Sequence, residues 1–77
     1  MTYGWIDFEE DPERPGVYVL EIGTFEPDEY GTLTYEDELA VIVHRTCNGK
    51  YPMDGPSVDK KRATAQQIVD ALNGAAS

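Results

Sequence analysis

Two segments of this 77-residue chain are apolar on both sides of an extended strand, yet only one amphipathic helix follows to cover them. In Val17–Phe25, side chains alternate across the strand. Tyr18, Leu20 and Ile22 take one face, and Val17, Val19 and Phe25 take the other together with Glu21. In Leu39–Cys47, Leu39, Val41 and Val43 oppose Ala40, Ile42 and His44. A strand with two apolar faces reads as buried on both sides, hence as a central strand. The helix over residues 58–73 carries one stripe, Val58, Ala65, Ile68, Val69 and Leu72. A helix about 10 Å across covers one face of a small sheet and leaves the other bare. The expected fold is therefore α+β: a small antiparallel sheet of three to four strands with one C-terminal helix packed on one face, in the order β-β-β-β-α, within a single domain spanning residues 1–77.

The remaining elements follow from local chemistry. Residues 2–8 alternate and begin with aromatic side chains, which predicts a first strand with Tyr3, Trp5 and Asp7 on one face. Two prolines and a glycine in Glu9–Gly16 break that ladder. Residues 17–25 and 39–47 are the second and third strands. The acidic segment 26–38 between them reads either as a loop or as a short hairpin through Leu33–Tyr35. Asn48-Gly49 suits a type I′ turn, whose two central residues both need positive φ, so residues 50–53 are predicted to return as a short edge strand limited by Pro52. Ser57 or Asp59 can cap the helix, and Gly74 is placed to end it. Lys60, Lys61 and Arg62 sit near the helix N-terminus, where the dipole disfavours cations. Either they pair with acids elsewhere in the chain, or the helix starts later on a Thr64/Gln67 capping box.

Strand alternation groups Tyr18, Leu20 and Ile22 with Leu39, Val41 and Val43. It groups Val17, Val19 and Phe25 with Ala40, Ile42, Tyr3 and Trp5. The helix can bury only one group, and the second would expose several hundred Å² of apolar surface, which soluble monomers seldom do. The alternative is that residues 26–38 fold back over it through Tyr30, Leu33 and Tyr35. Six side chains pair a ring with a polar tip (Tyr3, Trp5, Tyr18, Tyr30, Tyr35 and Tyr51), a type favoured at protein interfaces. The expected partner-binding residues are Tyr3, Trp5, Val17, Val19 and Ile42 for burial, with Glu26, Asp28, Glu29, Glu36, Asp37 and Glu38, together with the acids of Glu9–Glu13, as an acidic rim.

Charge narrows the partners. The chain has 15 acids against 6 Lys and Arg, a net charge of −9. Residues 1–38 hold twelve acids and one base, net −11; residues 39–77 hold three acids and five bases, net +2. That asymmetry opposes direct contact with nucleic acid and steers basic partners, although it also serves solubility. No apolar run approaches the ~20 residues of a membrane span, and no charged-then-apolar leader is present, so a cytoplasmic location is expected. The lone Cys47 makes no internal disulfide. His44 and Cys47, three apart on a strand, point to opposite faces and do not converge on a metal. Residues 26–37 place Gly31 sixth and Asp37 twelfth, as a calcium loop would, but Tyr30 is fifth, Glu26 is first and no helices flank the segment. Phosphate-binding and hydrolase motifs are missing, so neither a cofactor nor an enzymatic activity is expected.

The run Asn48-Gly49-Lys50 and the helix Ala65-Gln66-Gln67-Ile68-Val69-Asp70-Ala71-Leu72-Asn73-Gly74, with the chain's size and acidity, resembles the small acidic accessory proteins of phages that infect actinobacteria. The resemblance implies a short sheet-plus-helix product, some of whose relatives bind and inhibit host proteins. It assigns no functional residue. The resulting expectation is a protein-interaction module that binds and modulates a host or phage protein through an apolar sheet face, or that self-associates through it. Two alternatives are a nucleic-acid mimic that blocks the basic groove of a DNA- or RNA-binding protein, and a minor virion structural or assembly component.

Overall fold

The computed structural model describes residues 2–46 and 55–76. Three strands, β1 (Thr2–Glu10), β2 (Val17–Pro27) and β3 (Leu33–Arg45), form an antiparallel sheet in the order β1-β2-β3, and α1 (Pro56–Ala76) packs on one face. The architecture is α+β with a C-terminal helix. The expected strand at 50–53 and the Asn48-Gly49 turn lie outside the described residues.

Each junction follows from its residues. Asp11 organises the first: its backbone N–H donates to Val17 O, its backbone O accepts from Arg14 N, and its carboxylate accepts from Glu13 N at 2.9 Å and Arg14 Nε at 2.8 Å. Residues 26–38 are the second hairpin. Strands β2 and β3 extend through them as far as the Pro27–Leu33 pair. Gly31 N donates to Asp28 O, Gly31 adopts φ 82°, and Asp28 N donates to Thr32 O, a turn of type I followed by a left-handed residue. The Asp28 carboxylate accepts from Tyr30 N and Thr32 N, so it is occupied in closing the turn.

Register decides which side chains meet the helix. Trp5 pairs with Ile22, and Leu20 pairs with Ile42. The buried cluster is Leu20, Ile22, Ala65 and Val69, with Tyr3, Trp5, Phe8, Ile42 and Leu72 packed against it. Val58 is also buried. Three bulges interrupt the alternation. One extra residue in β1 between Ile6 and Glu9 turns Phe8 onto the helix side, where its ring meets His44 edge-on at 6.0 Å. Extra residues at Leu39 and Glu36 in β3 twice shift its pairing with β2.

The helix runs antiparallel to β1. Arg62 bonds Asp7 at 2.9 Å, Gln66 Oε1 accepts from the Trp5 indole at 3.0 Å, and the Asn73 amide brackets the Tyr3 backbone, accepting from its N–H at 2.9 Å and donating to its C=O at 3.1 Å. The Asn73 side chain thus acts as a one-residue strand partner along the outer edge of β1. Two helix-end expectations need correction. Pro56 rather than Ser57 opens the helix, with φ fixed for a first turn, and Asp59 N donates to Gly55 O. Gly74 lies inside the helix, which continues to Ala76. The first explanation for the cations near the start holds for Arg62, which bonds Asp7 as well as Asp59; the Lys61 ammonium instead donates to Val43 O at 3.0 Å and lies 3.0 Å from His44 Nδ1. Thr64 does not cap a later start; its hydroxyl donates back to Lys60 O, as it does mid-helix.

Candidate interaction surface

The face of the sheet opposite α1 divides into a sealed half and an open half. In the sealed half, toward the β2–β3 turn, two glycines in adjacent strands, Gly4 and Gly23, pair with each other. The Phe25 ring lies on Gly4: a Cβ there would come 2.8 Å from it. Tyr35 lies on Gly23, where a Cβ would meet its hydroxyl at 2.9 Å and collide with the Asp37 carbonyl. Phe25 and Tyr35 pack edge to face at 5.4 Å. The Tyr35 hydroxyl is buried without a hydrogen-bond partner. Burial first, then the charges of Glu21, Glu38 and Asp37, pushes its pKa up.

The open half is a shallow groove of about 370 Å³. Its floor is Val19, Val41 and Val43; Val41 and Val43 remain 44% and 36% exposed, and the bulged Leu39 beyond them 53%. One wall is the β1–β2 corner with Glu9, Glu10 and Asp11, and the other is Glu38. Glu21 rises from the middle. Burial first, then the nearby Glu38 and Glu9 carboxylates, pushes the Glu21 pKa up. The acids tied to arginine move the other way. Asp11 is lowered by the Glu13 N–H and then by Arg14, and Asp7 by Arg62.

The expected binding residues are distributed unevenly over this geometry. Val17 and Val19 lie on the face away from the helix, since they pair with Arg45 and Val43. Tyr3, Trp5 and Ile42 do not: all three pack against the core beneath α1. The expected grouping of strand faces is corrected for the same reason. The β2–β3 register sets Leu20 opposite Ile42, so Leu39, Val41 and Val43 belong with Val17 and Val19. Of the expected acidic rim, Glu38 reaches the groove, as do Glu9, Glu10 and Asp11 from the first acidic segment. Glu26 pairs with Thr34 in the hairpin arm, Asp28 closes the turn, Glu29 is exposed at its tip, and Glu36 occupies a bulge. Asp37 lies opposite Thr24 on the helix side, and its N–H donates to the Thr24 hydroxyl. Residues 26–38 continue the sheet; of the three side chains expected to fold over it, Tyr35 covers Gly23, while Tyr30 and Leu33 stay exposed. Val41, Val43 and Glu21 were missed as surface residues; the signal for Glu21 was its position as the one charge inside an otherwise apolar strand.

Among the described residues no cluster of His, Cys, Asp or Glu is arranged to hold a metal ion, and no helix is long and apolar enough to cross a membrane. Fold and surface together define a three-stranded antiparallel meander backed by one helix, with one face partly open. No family model, curated protein or solved structure matches the chain.

Proposed function

We propose that this protein is a non-enzymatic interaction module that docks another protein on the open half of its sheet. The supporting observation is the valine floor formed by Val19, Val41 and Val43 on the sheet face away from α1, with Val41 and Val43 left exposed. Aliphatic side chains on a rigid sheet give a partner burial at little ordering cost, because the strands are already fixed. The surrounding acids supply steering and a polar rim. A host or phage protein as partner accords with the sequence resemblance.

The test compares baits. Val41→Asp places a charge on the floor without touching the core, and Gln67→Asp does so on an exposed helix position. Proteins recovered from a lysate by wild type and Gln67→Asp but lost with Val41→Asp would support the assignment. Identical recovery by all three would refute it. Tryptophan substitution is the wrong probe, since Trp5 belongs to the core.

Nucleic-acid mimicry is the second reading, favoured by one observation: Glu26 and Glu36–Glu38 lie on ordered strands, as imitation of a phosphate array requires. Salt separates the two. Mimicry loses affinity steeply as ionic strength rises, whereas docking on valines persists.

A further inference from the structure

The docking role proposed above leaves the occupant's chemistry open, and the groove narrows it. Five carboxylates line it, from Glu9, Glu10, Asp11, Glu21 and Glu38, against the single cation Arg14, which is already bonded to Asp11 at 2.8 Å. Among the described residues, Glu9, Glu21 and Glu38 have no cationic partner. They converge over valines, so the surface combines an apolar floor with uncompensated negative charge.

We infer that the groove takes the cationic side chains of a basic partner segment, arginine above all, and does not take a second copy of this chain. An arginine side chain matches both parts. Its methylene stem lies along valine while its planar guanidinium reaches carboxylates in bidentate fashion. At the rim, Arg14 Nε already donates to the Asp11 carboxylate at 2.8 Å. A second copy offers valines to the floor but fails on charge. Stacking two such faces at the ~10 Å spacing of packed sheets sets Glu9, Glu21 and Glu38 of one protomer against the same residues of the other, and like charges facing across a desolvated interface oppose association. Edge-to-edge pairing through β3 is opposed as well. Glu36, Asp37 and Glu38 line that strand, it is bulged at Leu39 and Glu36, and the Lys61 ammonium occupies the Val43 carbonyl.

The experiment is an NMR titration of the uniformly ¹⁵N-labelled full chain with two capped hexapeptides, one alternating valine with arginine and one alternating valine with glutamate. The arginine peptide is expected to shift the amides of Val19, Glu21, Glu38, Val41 and Val43, and the glutamate peptide to leave them in place. Glu21→Gln with Glu38→Gln is expected to weaken the arginine peptide about tenfold or more. A thermal melt of that double variant confirms folding, which removal of two like charges favours. Sedimentation velocity of wild type over a wide concentration range is expected to show a monomer. Equal binding of both peptides on this face would overturn the cationic assignment and leave apolar docking intact. Shifts confined to the β2–β3 turn, or a concentration-dependent dimer abolished by Val41→Asp, would also overturn it. The docking role itself falls only if Val41→Asp changes nothing in the bait comparison.

Discussion

Replacing Glu21 with glutamine removes one charge from the centre of the open face, and the structure fixes the sign of the result. Burial and the neighbouring Glu38 and Glu9 raise the Glu21 pKa above its ordinary 4.5 in the folded protein. The folded state therefore holds this proton more tightly than the unfolded chain does. As pH rises from about 4.5 through the raised folded value, the unfolded state gives up its proton first, and stability is lost. Above that window the native protein carries an ionised carboxylate beside two others, half-exposed to water. Such exposed charge–charge terms amount to about 0.2–1 kcal/mol. Glu21→Gln should thus be more stable than wild type at pH 7 by that amount, about 1–8 °C in Tm for a domain of this length. The two should converge below pH 4, where Glu21 is protonated in both states.

Asp7 supplies the opposite case. The hydrogen bond from Arg62 at 2.9 Å holds its carboxyl below the ordinary 3.8. Its contribution is complete above 3.8 and is lost as pH falls through the lowered folded value. Asp7→Asn should therefore destabilise at pH 7 by about 0.2–1 kcal/mol, since the pair is exposed. Urea unfolding from pH 3 to 8, followed by Trp5 fluorescence, measures both, and urea leaves the charges unscreened. A Glu21→Gln variant less stable than wild type at pH 7, or a gap constant with pH, would refute the carboxylate-cluster account. Persistence of the gap at 1 M salt, where the Debye length is about 3 Å, would assign it to burial of Glu21 and not to its carboxylate neighbours.

Three other substitutions probe the fold. Leu20→Ala deletes most of a fully buried side chain and should cost about 2.7–5 kcal/mol by urea unfolding, against about 4–12 kcal/mol expected for a chain of this length, whereas Val41→Ala on the open face should cost under about 1. Gly23→Ala places a Cβ against the Asp37 backbone, which cannot move without parting β2 from β3, so circular dichroism should show a Tm loss of 10 °C or more, corresponding to about 2 kcal/mol. Asn73→Ala removes both bonds to the Tyr3 backbone and should cost about 1–2 kcal/mol, with amide exchange accelerated at Tyr3; unchanged exchange there would argue against the edge-sealing role of Asn73.

How much was legible in the sequence depended on whether a feature is local. Period-two alternation in Val17–Phe25 and the spacing of Val58, Ala65, Val69 and Leu72 are local, and they located strand and helix. Register is not local. Nothing in the residues of β3 announces that Leu39 and Glu36 bulge, and each bulge exchanges the faces of everything beyond it. Phe8 shows the same effect in β1: alternation assigns it away from Trp5, and one extra residue brings both rings beneath the helix. The acidic stretch stayed open between loop and hairpin for another reason. Pro27 and the charges suggest a loop and Leu33–Tyr35 a strand, and the Asp28–Gly31 turn holds the hairpin once β2 offers a partner. Gly4 and Gly23 were unremarkable in the sequence, because what makes them necessary, Phe25 and Tyr35 lying across them, exists only after pairing.

The two halves of the open face show how a chain of this size handles a sheet side that α1 does not cover. Near the β2–β3 turn the solution is internal, with two aromatic rings laid across two glycines, so that residues of the sheet roof the sheet. Near Val19, Val41 and Val43, carboxylates stand among the valines instead. Glu21 and Glu38 cost stability where they stand, as the raised pKa of Glu21 records, yet they oppose the stacking of copies that bare valines invite. Charge that is unfavourable in the isolated protein and relieved by a cation favours binding of that cation by the free energy of relief. If Glu21→Gln with Glu38→Gln gains stability but loses arginine-peptide affinity, the same two residues account for both properties. A variant that gains stability and keeps affinity would show that the acids serve solubility alone.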